Sequence, residues 1–266
     1  MIVDSHLHIG NILDFNLTEE ETIAGMEKYG VDYGIVSCLE SSEFDHNFNQ
    51  LPPEVQVSQK DSNRRTLNFV QNNPQRLQAQ FWIKANLEGY DDWIAEFLVT
   101  NQEYFCGLKM HPFHSMLKPT SKKVKPYLEL AEQLEFPVAI HTAGDKYSDP
   151  EHVYQLAQDY PNLNFIMVHM GLGTDNQKAI SLIEKLPNLY GDTTWVEPES
   201  VLDAIEKCGS HKIIFGTDAP IDGVDTYKSY FDLIEILKTE LSAVEYQNIM
   251  FKNAIKLFDL NIKKID

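Results

Sequence analysis

Short apolar, β-branched runs alternate with helical stretches about eight times along this chain, and that alternation restricts the fold more than any other feature. The runs cover residues 2–8, 33–39, 79–83, 105–111, 137–141, 165–169, 189–193 and 213–218. Several are continuously hydrophobic rather than alternating, as strands covered on both faces are. Between them, Thr18 and Glu21 form a capping box that opens a helix, and Gly30 is placed to stop it. Asp149 followed by Pro150 puts a cap before a first-turn proline, with Val153, Leu156, Ala157 and Tyr160 next at helical spacing. Val124, Tyr127, Leu128 and Ala131 repeat that spacing, as do Ala179, Leu182, Ile183 and Leu186. Residues 246–258 read as an amphipathic terminal helix. About eight strand–helix units in 266 residues predict an α/β fold, a closed (β/α)8 TIM barrel with an extra C-terminal helix. An open doubly wound sheet gives a similar alternation, but no Gly-rich phosphate turn follows the first strand. No linker or low-complexity tract interrupts the pattern, so one domain is expected over residues 1–266. The longest stretch without periodicity, 40–60, is expected to form an active-site lid.

Composition narrows the function. The chain carries 22 Lys and Arg against 40 Asp and Glu, a formal net charge of −18. Such a field repels nucleic-acid phosphates and anionic membrane surfaces. No apolar run reaches the ~18 residues of a membrane span. Cys38, Cys106 and Cys208 are too few and too scattered for a disulfide framework or a thiolate zinc site. Met1 leads straight into Ile2, Val3 and Asp4, without the pattern of a targeting leader. The expectation is a soluble cytoplasmic protein acting on a small molecule, with neither nucleic acid nor membrane as partner.

The histidines carry the chemistry. Five of the nine fall in predicted strands: His6 and His8 in the first, His111 in the fourth, His141 in the fifth and His169 in the sixth. Asp218 ends the eighth, whereas His46, His114, His152 and His211 lie in predicted loops or helices. In a barrel the C-terminal strand ends meet on one face, where catalytic sites are built. His6 and His8 are two residues apart, so on a strand both imidazoles point to the same side. A lone His-x-His is weak evidence and is usually core packing. Five strand-end histidines with an aspartate are not explained that way, because burying them unpartnered costs on the order of several kcal/mol. Convergent nitrogen and oxygen donors without thiolates suit a divalent ion, zinc first, with manganese, iron and cobalt as alternatives.

These segments also resemble a family. Asp4-Ser5-His6-Leu7-His8 is similar to the D-x-H-x-H opening of the amidohydrolase superfamily. The similarity continues through Gly107-Leu108-Lys109-Met110-His111, Ala139-Ile140-His141 and Val168-His169-Met170-Gly171. It ends with Phe215-Gly216-Thr217-Asp218-Ala219-Pro220 and with Asn253-Ala254-Ile255-Lys256-Leu257-Phe258. Each motif is loose by itself; the ordered set, spread over the whole chain, is specific. It resembles most the amidohydrolase-related branch, which holds both metal-dependent hydrolases and non-oxidative decarboxylases. The resemblance implies that His6, His8, His141 and Asp218 hold the metal. His169 then polarises the substrate, shuttles a proton or joins a second ion. It implies metal-activated water, with Asp218 as proton acceptor and donor, and it points weakly to a homodimer.

Several residues keep more than one reading. Lys109 is a lysine paired with a carboxylate at the barrel mouth, a contact for an anionic substrate, or, by resemblance to binuclear members of the superfamily, a carbamylated bridge between two ions. One ion is preferred to two. His111 is a substrate contact or packing, and Trp195 is a candidate substrate contact. Asp4 shares the face of His6 and His8 but lies deeper, as a hydrogen-bond acceptor rather than a ligand. His114 and Glu197 sit in loops at the same mouth, while His46 and Arg64 are read as surface. Cys106 is read as buried packing. The expected activity is hydrolysis of a small amide, lactone or ester. The alternatives are decarboxylation of an aromatic or unsaturated carboxylate on the same metal, and a metal-holding barrel that binds without turnover.

Overall fold

The apolar runs become strands of a single curled sheet in the computed structural model, which describes residues 1–262. β1 (Val3–Ile12) turns back in β2 (Phe15–Leu17), followed by α1 (Glu19–Tyr29), β3 (Tyr33–Cys38), α2 (Gln59–Asn72), β4 (Leu77–Trp82), α3 (Trp93–Thr100) and β5 (Phe105–Met110). Next come α4 (Pro112–Ser115), α5 (Lys125–Leu134), β6 (Val138–Ala143), α6 (Pro150–Asp159), β7 (Phe165–Leu172), α7 (Gln177–Ile183), β8 (Leu189–Asp192) and α8 (Pro198–Cys208). β9 (Ile213–Ile214), α9 (Phe231–Glu240), α10 (Ala243–Gln247) and α11 (Asn253–Leu257) complete the chain.

The nine strands lie in the order β2-β1-β3-β4-β5-β6-β7-β8-β9. Every neighbouring pair is parallel except the β1–β2 hairpin. The sheet closes through backbone bonds between β1 and the segment after β9. Ser5 N–H donates to Phe215 O at 2.9 Å, Asp218 N–H to His6 O at 2.8 Å, and His8 N–H to Ala219 O at 3.0 Å. This is the expected (β/α)8 barrel, with β2 as an antiparallel appendage that the sequence reading did not contain.

Helix signals in the sequence translate directly into structure. Thr18 and Glu21 make the reciprocal capping box of α1, and Gly30 ends that helix in the left-handed region at φ 68°. Asp149 caps α6 by accepting from Glu151 N–H, with Pro150 in the first turn. The terminal helix begins earlier than expected, because Ser242 and Glu245 form a second capping box before α10. Between α10 and α11 the chain widens into one π turn over Asn248–Lys252. There Ile249 O accepts Phe215 N–H at 3.0 Å, and Asn253 Nδ2 donates to Ile213 O at 2.8 Å. The terminal helix is thus stitched to the last barrel strand. Ala254, Leu257 and Phe258 pack on Val3, Cys106 and Ile166 and fill the end of the barrel where the strands begin. The opposite end is left for chemistry.

Two expectations are corrected. The eighth run pairs as a strand only over β9 and continues as irregular chain to Asp218. Segment 40–60 is not a free lid, since Glu40, Ser41, Ser42 and Glu43 are buried. Glu43 accepts Leu87 N–H at 2.5 Å, Lys84 Nζ donates to Val57 O at 2.6 Å, and His114 Nδ1–H donates to Phe44 O at 2.8 Å. Residues 46–50 and 52–55 stand exposed between these anchors.

Packing between sheet and helices leaves little slack at β3. A Cβ at Gly34 would lie 2.3 Å from Leu7 Cδ1 and 3.1 Å from Leu77 Cδ2, both in the buried core. Gly34→Ala is expected to lower stability by about 1–3 kcal/mol through overpacking, measured as a fall in the urea unfolding midpoint.

Candidate active site

Strand alternation and barrel closure bring the three innermost donors together. On β1, His6 and His8 project to the same side, and their Nε2 atoms lie 3.0 Å apart. The closing bond places Asp218 against them, with Oδ1 at 3.2 Å from His6 Nε2 and 3.1 Å from His8 Nε2. Among the described residues, His6, His8 and Asp218 form a group able to hold a metal ion. Each imidazole is fixed from behind. His6 Nδ1 lies 3.1 Å from Asp192 Oδ2, and His8 Nδ1 lies 3.3 Å from Ser37 O. With Nδ1–H donating to those oxygens, both Nε2 lone pairs face the Asp218 oxygen. That convergence of three acceptors needs positive charge among them. Lys109 Nζ stands closest, 2.7 Å from His6 Nε2.

Burial sets the protonation of the group. It holds the His6 and His141 imidazoles well below their usual range, aided by the Lys109 charge at His6 and by His169 at His141. It lowers His169 to about 4 and Lys109 to about 8. Burial alone would raise Asp218, but His6 and His8 outweigh it and keep the carboxyl well below its ordinary range. His6, His141 and His169 are therefore neutral and Asp218 is a carboxylate, the forms a metal requires.

His141 and His169 face the same cavity from the next strands. The imidazole rings lie 4.7 Å apart, edge to face, and His141 Nδ1 is buried without a partner. Near His169 the β7 ladder slips. His141 pairs with Val168 but Ala143 pairs with Leu172, and His169 lies in the bulge at φ 66°. Its Nδ1–H donates to Thr194 O at 3.1 Å, and its backbone N–H donates to Asp192 Oδ1 at 2.7 Å. Asp192, at the end of β8, thus orients both His6 and His169. The sequence reading missed it, although its place at a predicted strand end was the same signal that singled out the histidines.

These residues floor a cavity of about 680 Å³ at the C-terminal strand ends. Most of its wall is apolar or aromatic, from Phe15, Leu39, Phe113, Leu172, Trp195 and Ile221, with Asp145, His46 and His114 as polar members of the lining. Among the described residues Lys109 is the one lysine on the lining, and no arginine joins it. His111 follows β5 and caps α4, its Nδ1 accepting His114 N–H at 3.3 Å. Its ring lies nearly parallel to those of His141 at 3.8 Å and Trp82 at 6.0 Å. His46, read as surface, is exposed but reaches the lining, 5.0 Å from His114 between ring centres. Asp4 behaves as expected. It accepts His6 N–H at 3.0 Å and the Thr217 hydroxyl at 2.5 Å, and burial pushes it up to about 7. Cys106 is buried packing, its thiol pushed up by that burial. Glu197 and Arg64 stay outside the cavity, Glu197 exposed at the start of α8 and Arg64 near Asp61 at 3.9 Å.

Comparison with known proteins agrees with this architecture. A family model described as amidohydrolase matches residues 3–260, and the chain belongs to that family of enzymes. A gamma-resorcylate decarboxylase from Polaromonas sp. (strain JS666 / ATCC BAA-500) is 29% identical over 126 residues, spanning 40% of this chain and 37% of that protein. The crystal structure of a dihydroxybenzoic acid decarboxylase from Polaromonas sp. JS666, with manganese and 2-nitroresorcinol bound, superposes with a TM-score of 0.72 at 16% identity. That match covers 98% of this chain and 97% of the other. An Acinetobacter baumannii protein described as a probable 2-pyrone-4,6-dicarboxylic acid hydrolase, with citric acid bound, gives 0.66 at 17% identity, covering 97% and 99%. No helix among the described residues is long and apolar enough to cross a membrane.

Asp192→Ala would strand the His169 backbone N–H inside the barrel and leave the His6 Nδ1–H with Thr194 Oγ1 alone. Stability is expected to fall by about 1–3 kcal/mol per stranded buried donor, read from urea unfolding monitored by circular dichroism.

Proposed function

We propose that this protein is a metal-dependent, non-oxidative decarboxylase of a small hydroxylated aromatic carboxylate, a lyase rather than the hydrolase first expected. The carrying observation is the build of the cavity, whose aromatic and aliphatic walls stand over a floor with Lys109 as its single lysine and no arginine. A flat ring fits such walls, and one anionic head group matches that floor. A dicarboxylate would bring a second charge that no arginine or further lysine on the lining answers. The match to the Polaromonas decarboxylase supports the same choice.

His6, His8 and Asp218, joined by His141 with its unpartnered Nδ1, would hold one divalent ion. Manganese, present in the Polaromonas decarboxylase structure, suits two or three imidazoles and a carboxylate as well as zinc does. When bound, the ion supplies Lewis acidity toward the carboxylate and neighbouring hydroxyl oxygens of the substrate. Lys109 is taken as a free ammonium, and its Nζ lies 2.7 Å from His6 Nε2. That ammonium faces the anionic head group, and His169, oriented through its Nδ1–H, steadies the substrate oxygens. Asp218, ionised at rest and 14% exposed, would relay a proton from solvent to the ring carbon that carries the carboxylate. The C–C bond then breaks, its electron pair stays on that carbon, and carbon dioxide leaves. The apolar walls exclude water and favour conversion of a charged group to a neutral product.

Chelator-treated protein reloaded with manganese is expected to release carbon dioxide from one or more hydroxybenzoates and to leave lactones and amides intact. Asp218→Asn should lower that turnover by about 10²–10⁴-fold. Hydrolysis of a lactone or amide without decarboxylation of any aromatic acid in the panel overturns the assignment.

A further inference from the structure

Trp195 makes a contact that a substrate wall does not require. Its indole Nε1–H donates to Asp218 Oδ2 at 3.0 Å, while Oδ1 of the same carboxylate faces His6 and His8. The Trp195 backbone is held at φ 54°, in the left-handed region that bulky residues rarely enter. Asp218 is held there too, at φ 68°.

One buried phenol supports both residues. The Tyr230 hydroxyl accepts Trp195 N–H at 3.1 Å and donates to Thr217 O at 2.8 Å, in the peptide that leads into Asp218. Trp195, Asp218, Thr217 and Tyr230 thus form a closed ring of contacts joining the loop after β8 to the chain after β9. The terminal torsion of an aspartate is broad, so either oxygen of a free side chain can turn toward a given partner. An indole N–H fixed on one oxygen removes that freedom.

We propose that Trp195 is a positioning residue, whose indole N–H holds Asp218 with one oxygen committed to the metal side and the other turned to the cavity mouth. This rests on the metal-dependent reading above. The ring itself is 38% exposed at the mouth, so its wall function and its N–H function can be separated by substitution. Trp195→Phe keeps an aromatic wall and deletes the donor. Tyr230→Phe keeps the indole and deletes the hydroxyl that braces its backbone.

The test is a manganese titration of chelator-treated protein, followed by electron paramagnetic resonance of the free ion. Trp195→Phe is expected to weaken manganese binding by about 10–100-fold, the usual effect of losing a group that orients a ligand. Tyr230→Phe should weaken it in the same direction. In decarboxylation assays at saturating manganese, kcat of Trp195→Phe should fall while KM changes little; a wall role alone would raise KM and spare kcat. A thermal melt shows whether each variant is folded. Folded Trp195→Phe with wild-type manganese affinity overturns the inference alone. Wild-type protein that binds no manganese overturns both the inference and the metal-dependent reading.

Discussion

The bond from Asp218 N–H to His6 O does two things at once. It is one of the links that turn a curled sheet into a closed barrel, and it sets the Asp218 carboxylate against the imidazoles of His6 and His8. Residues more than two hundred positions apart are joined by the same backbone contact that completes the sheet. The fold and the donor cluster are therefore one construction. Closure leaves almost no free volume: a Cβ on Gly216 would meet Thr194 Oγ1 at 2.8 Å and His6 Cβ at 3.0 Å.

Polarity inside the barrel is organised around Asp192. Burial raises its carboxyl, yet both oxygens are fully used, Oδ1 by His169 N–H and Oδ2 by the Thr194 hydroxyl and His6. A buried acid so engaged orients its neighbours and leaves their outward nitrogens free as acceptors. The strands bring imidazoles to one place, and this acid fixes the ring of His6 and the backbone of His169.

Much of this was legible in the chain. Continuous apolar runs identified the strands because barrel staves are buried on both faces, and the capping box of Thr18 and Glu21 marks a helix start by local chemistry alone. His6 and His8 were readable because a two-residue period is a rule of strand geometry. Other features depend on distant partners and have no local signature. The β1–β2 hairpin lacks the Asn-Gly or Asp-Gly pair that would announce it. Tyr230 looks like any aromatic residue until the loops after β8 and β9 converge on its hydroxyl. The 40–60 segment reads as loose because its anchors, Leu87, Lys84 and His114, come from elsewhere in the sequence.

The left-handed backbone at His169, Trp195 and Asp218 divides the cavity into parts with different freedom to diverge. At these three positions a β-branched replacement would add backbone strain to whatever chemistry it removed. Phe15, Leu39, Phe113 and Leu172 line the same cavity from conformations that most side chains accept. New substrate preferences can arise there one exchange at a time, with the reacting floor left intact. The barrel thus combines a floor resistant to drift with walls open to selection.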